Sequence, residues 1–154
     1  MESSDFAAWY AAAVATAVLI WDIIKYRNSG PQITGEAFSG WESYGIEDTE
    51  GKGLAFAKLS NTGDRPTTLT SWGMYWYPAG VNLNDKSKRR PFIIKGGLGG
   101  MGKVPEKIAP GDVWTGLVLE NDEFKEMSEE GTLVFGFGFS HSLEETIIKI
   151  KPNS

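Results

Sequence analysis

TTLTSWGMYWY, residues 67–77, is the most β-prone stretch of the chain. Threonine, tryptophan and tyrosine are β-branched or aromatic side chains that fit a pleated, half-buried surface. The pleat sets Trp72, Met74 and Trp76 on one face and Tyr75 and Tyr77 on the other, and either row is able to fill a core. Short runs of the same kind recur on both sides: 32–41 and 54–60 before it, then 91–95, 113–119, 132–140 and 143–151 after it. Glycine, proline and asparagine separate them, as turns between strands require. Only residues 122–130 read as a helix, of a turn or two. Seven short strands without an internal repeat predict an antiparallel β-sandwich over residues 32–154.

The run 132–140 sharpens this expectation. Leu133, Phe135, Phe137 and Phe139 alternate with Thr132, Val134, Gly136 and Gly138, so a phenylalanine row lines one face. The glycines leave a flat floor on the other face, where an aromatic ring of a neighbouring strand fits. Ser140-His141-Ser142 then reads as the turn of a terminal hairpin.

A different pattern precedes the strands. FAAWYAAAVATAVLIWDII, residues 6–24, is nineteen residues with one charge, Asp22, near its end. At about 1.5 Å per residue it reaches roughly 28 Å, close to the hydrocarbon thickness of a bilayer. Phe6 and Ile24 bound the span; Trp9 and Tyr10 lie near one end, Trp21 and Tyr26 near the other, where an interfacial aromatic belt belongs. Asn28-Ser-Gly-Pro31 supplies helix-stop residues. A cleaved signal peptide calls for a basic start, and this chain opens Met-Glu-Ser-Ser-Asp. A buried or interfacial helix calls for a polar stripe, and the apolar residues here cover every side. The expected organisation is therefore a short tail 1–5, a transmembrane helix with its flank 6–27, a linker 28–31 and the β domain 32–154.

Lys25 and Arg27 follow the span while Glu2 and Asp5 precede it, so the positive-inside rule places the domain in the cytoplasm. Ala8, Ala12 and Thr16 recur every four residues, a small-residue face by which membrane helices approach one another.

The domain carries thirteen basic and seventeen acidic residues of a chain whose net charge is −5, which is no nucleic-acid footprint. Cysteine is absent, excluding disulfides, thiolate metal sites and thiol catalysis. A Ser-His-Asp arrangement has only His141 to use, with Ser140, Ser142, Glu144 and Glu145 nearby at unremarkable spacing. Gly97-Leu-Gly-Gly-Met-Gly102-Lys103 matches the first seven positions of a phosphate-binding loop. Val104 then stands where the magnesium hydroxyl belongs, and Pro105 disfavours the helix that must follow. No cofactor or metal site is expected. Lys86, Lys88, Arg89 and Arg90 form the one basic cluster, a candidate contact for an anionic membrane leaflet.

Two turn motifs carry a resemblance. Leu59-Ser-Asn-Thr-Gly-Asp-Arg-Pro-Thr-Thr-Leu69 resembles the corner between the second and third strands of many bacterial immunoglobulin-like domains, and Ile108-Ala-Pro-Gly-Asp112 resembles a strand approach common in the same domains. With the spanning helix ahead of it, the chain is similar to small, uncharacterised bacterial single-pass membrane proteins, and its expected location is the bacterial inner membrane. The resemblance implies an immunoglobulin-like β-sandwich and no catalytic residues. Together these readings predict a non-enzymatic, membrane-anchored binding or assembly module. Its expected partners are the lipid bilayer and either a protein or a second copy through the helix. An outward-facing structural component of an envelope or virion is the alternative, and a membrane-bound hydrolase using His141 a third.

Overall fold

In the computed structural model, residues 3–45, 49–92 and 101–152 are described. The chain divides into two units between Gly30 and Pro31. The first is the helix α1 (Ser3–Asn28), which starts inside the expected tail and ends at the expected stop residues. Its segment Asp5–Asn28 is long and apolar enough to cross a membrane. Glu2 lies outside the described residues, as do Ile93–Lys95 of the expected fourth strand and Gly97–Gly100 of the glycine-rich run.

The second unit is mainly β. Its strands are β1 (Ile33–Glu42), β2 (Gly53–Asn61), β3 (Thr67–Pro78), β4 (Arg90–Phe92), β5 (Glu106–Ile108), β6 (Val113–Leu119), β7 (Gly131–Phe139) and β8 (Ser142–Pro152). The helix α2 (Asp122–Glu130) precedes β7 and is capped by Asn121, whose side chain accepts the Phe124 N–H at 2.8 Å.

The strands do not form two separate sheets. They run β4-β3-β7-β8-β1-β2-β6 in a single sheet, with β5 also pairing β3. β8 causes this. Its residues up to Lys149 pair antiparallel with β7, while Ile150–Pro152 pair in parallel with Ala37–Ser39 of β1. One long strand thereby joins both halves, and the sheet curls into a half-barrel in place of the expected two-sheet, all-antiparallel packing. The halves face each other across the core. Trp72 of β3 meets Trp114 of β6 edge-on at 5.2 Å, and Trp114 meets Phe137 of β7 at 5.8 Å.

Core composition follows the pleat. Leu133, Phe135, Phe137 and Phe139 of β7 are buried with Leu69 and Met74 of β3 and with Ala37, Ala55, Ala57 and Leu59 of β1 and β2. Trp72 and Trp76 pack against this cluster, so the Trp72–Met74–Trp76 row faces inward and Tyr75 and Tyr77 face out. The small alanines of β1 and β2 leave room for the large rings of β3, β6 and β7 opposite.

Candidate functional site

On α1, every side chain from Asp5 to Asn28 is exposed, including Phe6, Trp9, Tyr10, Trp21 and Ile24. Ala8, Ala12 and Thr16 lie along one side, and Trp9 and Ile20 flank Ala12, Ala13, Thr16 and Ala17 in a shallow groove. The Thr16 hydroxyl donates to the Ala12 carbonyl at 2.8 Å, so it is satisfied within the helix. Close backbone approach, not this hydroxyl, is what such a face offers a neighbouring helix.

The basic cluster occupies the segment between β3 and β4, over the outer face of the sheet. Asp85 caps a single 3₁₀ turn, Lys86–Lys88, by accepting the Ser87 N–H at 3.1 Å and the Ser87 hydroxyl at 2.6 Å. These two bonds, the hydroxyl first, hold its carboxyl below the usual range. Arg89 then reaches Glu145 of β8 in a charge-assisted hydrogen bond, with its guanidinium 3.8 Å from the centre of the Tyr75 ring. Burial works against the guanidinium charge, but the Glu145 bond and charge prevail and raise its pKa. Burial, followed by the neighbouring Glu145 carboxylate, lifts the Tyr75 phenol above its ordinary value. Tyr77 lies fully buried on the same face. Among the described residues its hydroxyl has no hydrogen-bond partner of good geometry, although it is close enough to Arg89 to favour the cation.

Gly136 makes this arrangement fit. A Cβ there would collide with Glu145 Oε1 and would sit 2.6 Å from the Tyr75 ring. The flat floor expected opposite the phenylalanine row is thus occupied by Tyr75. Of the four candidate lipid-contacting cations, Arg89 is committed to Glu145 and Arg90 lies 5.4 Å from the Trp76 ring. Lys86, about half exposed and 4.0 Å from Glu145, and the exposed Lys88 remain at the surface.

Of the phosphate-loop resemblance, Met101, Gly102 and Lys103 are described. Two indoles hold them: Trp72 Nε1 donates to the Gly102 carbonyl at 2.9 Å, and Trp114 Nε1 to the Lys103 carbonyl at 3.2 Å. Gly102 adopts φ +79°, and a Cβ there would meet the Trp72 ring at 2.7 Å. Its N–H bonds Thr115 O at 3.0 Å, on the side of β6 away from β2. The chain continues into β5 rather than into a helix, so no helix N-terminus faces a phosphate.

His141 stands in the β7–β8 turn, as expected. Its Nδ1 is 2.6 Å from the hydroxyl of Thr67, a buried residue at the start of β3, and its ring packs on Phe139 at 5.6 Å. Ser140 accepts the Thr68 N–H and Ser142 accepts the Glu144 N–H. The bonds to Thr67 and Thr68 tie the turn to β3. They do not align a serine, a base and a carboxylate in series, which is the arrangement a hydrolase needs.

Sequence reading missed an apolar row on the outer face of β1, β2 and β6. Phe38 pairs with Phe56, and Phe56 with Leu117; Trp41 pairs with Leu54, and Leu54 with Leu119. Phe56 packs on Phe38 at 5.5 Å and on Trp41 at 5.4 Å. The signal was present in Leu54–Leu59, where five of six residues are apolar and only Lys58 marks an outer face.

No protein-family model and no curated protein matches this sequence. Among solved structures, the chain is similar to an X-ray structure of Northeast Structural Genomics Consortium target SoR45, at 14% identity over 79% of this chain and 82% of that one, with a TM-score of 0.36. That likeness is too distant to carry an argument about either fold or function.

Proposed function

We propose that this chain is a membrane-anchored, non-enzymatic binding or assembly module, with α1 crossing a bacterial inner membrane and the β domain on its cytoplasmic side. The observation that carries the reading is α1 itself: a 26-residue helix, apolar on all sides and exposed along Asp5–Asn28. So much apolar surface has no stable state in water and needs lipid or another protein around it. Lys25 and Arg27 at its C-terminal end favour the cytoplasmic side for the domain. The proposal extends to an immunoglobulin-like character for the domain, supported by its two facing half-sheets and the two turn motifs. The role assigned to the Ala8–Ala12–Thr16 face is self-association or docking on a membrane partner.

The experiment is to express the full chain, extract membranes with carbonate, and measure energy transfer between differently labelled copies in bilayers. Membrane retention is expected, together with transfer that A8I and A12I reduce several-fold. Recovery in the carbonate supernatant would overturn the anchor, and transfer unchanged by both substitutions would overturn the helix face.

A further inference from the structure

The two outer faces of the curled sheet are treated differently. Over β3, β7 and β8 the chain supplies its own cover, and Tyr77 and Val134 are fully buried beneath it. Over β1, β2 and β6, Phe38, Phe56, Leu117 and Leu119 are half-buried and Trp41 is 46% exposed. Beside this apolar row runs a cationic one. Lys151 of β8 is the neighbour of Phe38, Lys149 precedes it on the same face, and Lys58 lies two residues from Phe56. The acid on this face is Glu36, which stands opposite Lys58. Glu42, paired with Gly53, and Glu120, which a Cβ on Gly53 would meet, lie on the opposite face.

We infer that the outer face of β1, β2 and β6 is a lipid-docking surface that rests on the bilayer crossed by α1. The inference rests on the anchoring reading above. Three observations favour lipid as the occupant. Only residues 29–32 separate the end of α1 at Asn28 from the start of β1 at Ile33. Extended, that connection spans at most about 17 Å, so the start of the strand that bears Phe38 and Trp41 cannot move far from the membrane surface. Tryptophan and phenylalanine are side chains that settle at the headgroup level, with apolar rings toward the acyl chains. Lysines at 58, 149 and 151 border the rings with long stems and charged tips, which suits anionic headgroups around a shallowly inserted apolar patch.

The test exploits the absence of cysteine. Spin labels are placed singly in the full chain through V113C, V14C and L143C, and the protein is reconstituted in vesicles of phosphatidylcholine and phosphatidylglycerol. Val113 is exposed on the outer face of β6, paired with Ser60 and four residues before Leu117, Val14 is mid-helix, and Leu143 is fully exposed at the start of β8. Collisions with oxygen report lipid, and collisions with a water-soluble nickel chelate report water. Oxygen is expected to dominate at 113 and 14, and the chelate at 143. Adding W41E is expected to turn position 113 aqueous while leaving position 14 in lipid. An aqueous label at 113 with position 14 in lipid would overturn the docking surface alone. An aqueous label at 14 would overturn the anchor and the inference with it. Shielding at 113 from both reagents that grows with the protein-to-lipid ratio would assign the face to a second copy, against the inference.

Discussion

The side-chain amide of Asn61 donates to the carbonyl of Ile108 at 3.1 Å, joining two turns that lie 47 residues apart in the chain. The same amide donates to Arg65 O at 2.8 Å, and its oxygen accepts from Gly63 N at 3.0 Å and Gln32 N at 3.2 Å. Its backbone bonds both ways with the second turn, donating to Asp112 O and accepting from Gly111 N. That turn has Pro110 followed by Gly111 at φ +83°, and Asp112 N bonds Ala109 O, the geometry of a type II turn. The two motifs that resemble immunoglobulin-like corners are therefore parts of one hydrogen-bonded structure, centred on a fully buried amide.

Asn61→Ala is expected to destabilise the domain by about 3 kcal/mol, because it strands buried donors and acceptors rather than merely removing a contact. Asn61→Asp should cost at least as much, since it replaces the donor facing Ile108 O and Arg65 O with an acceptor. Urea unfolding followed by tryptophan fluorescence measures both. A loss under about 0.5 kcal/mol for either would mean that the amide is not the centre of this corner.

Arg89 and Glu145 fasten the cover over Tyr75 and Tyr77. Each alanine substitution alone is expected to cost about 1–2 kcal/mol, as for a partly exposed charge-assisted bond. Together they should cost clearly less than the sum of the singles, because the second substitution relieves a charge already stranded by the first. Gly136→Val should be worse than either, since its side chain would collide with both Glu145 and Tyr75.

Tyr75 should ionise above the ordinary phenol value of 10.0. Its proton is held more tightly in the folded chain than in the unfolded one. The resulting stability is complete below that ordinary value and is lost as the pH rises through the elevated one. Glu145→Gln removes the carboxylate charge and should lower the Tyr75 pKa toward the ordinary value. Titration of the tyrosine ring carbons by NMR follows this residue separately.

Trp72→Phe and Trp114→Phe keep the aromatic packing but remove the bonds to Gly102 O and Lys103 O. Each should cost about 1 kcal/mol. Both should accelerate tryptic cleavage after the exposed Lys103, whereas cleavage after Lys107 in β5 should change less.

Much of the domain was legible from local pattern. All seven expected strands have counterparts, and the Phe135–Phe137–Phe139 row is inside because strict alternation leaves it no other face. β5 was missed because three residues carry no period, and only its pairing of Thr67 with Ile108 through Leu69 with Glu106 defines it. The curl was equally illegible: it depends on Ile150–Pro152 leaving β7 for β1, a choice made by tertiary packing. Glu145 was noted beside His141, whereas its partner Arg89 lies 56 residues away, beyond any local rule. The Phe38–Phe56–Leu117 row likewise appears only once three strands are in register.

Side-specific labelling of Leu143→Cys in intact cells addresses the anchored, cytoplasmic placement of the domain. Leu143 is fully exposed at the β7–β8 turn and no other cysteine competes. The expected result is a membrane-retained protein that a membrane-impermeant maleimide labels only after the cells are permeabilised. Labelling of intact cells would put the domain on the outer side and contradict the proposed topology, and recovery of the protein in the soluble fraction would contradict the anchor.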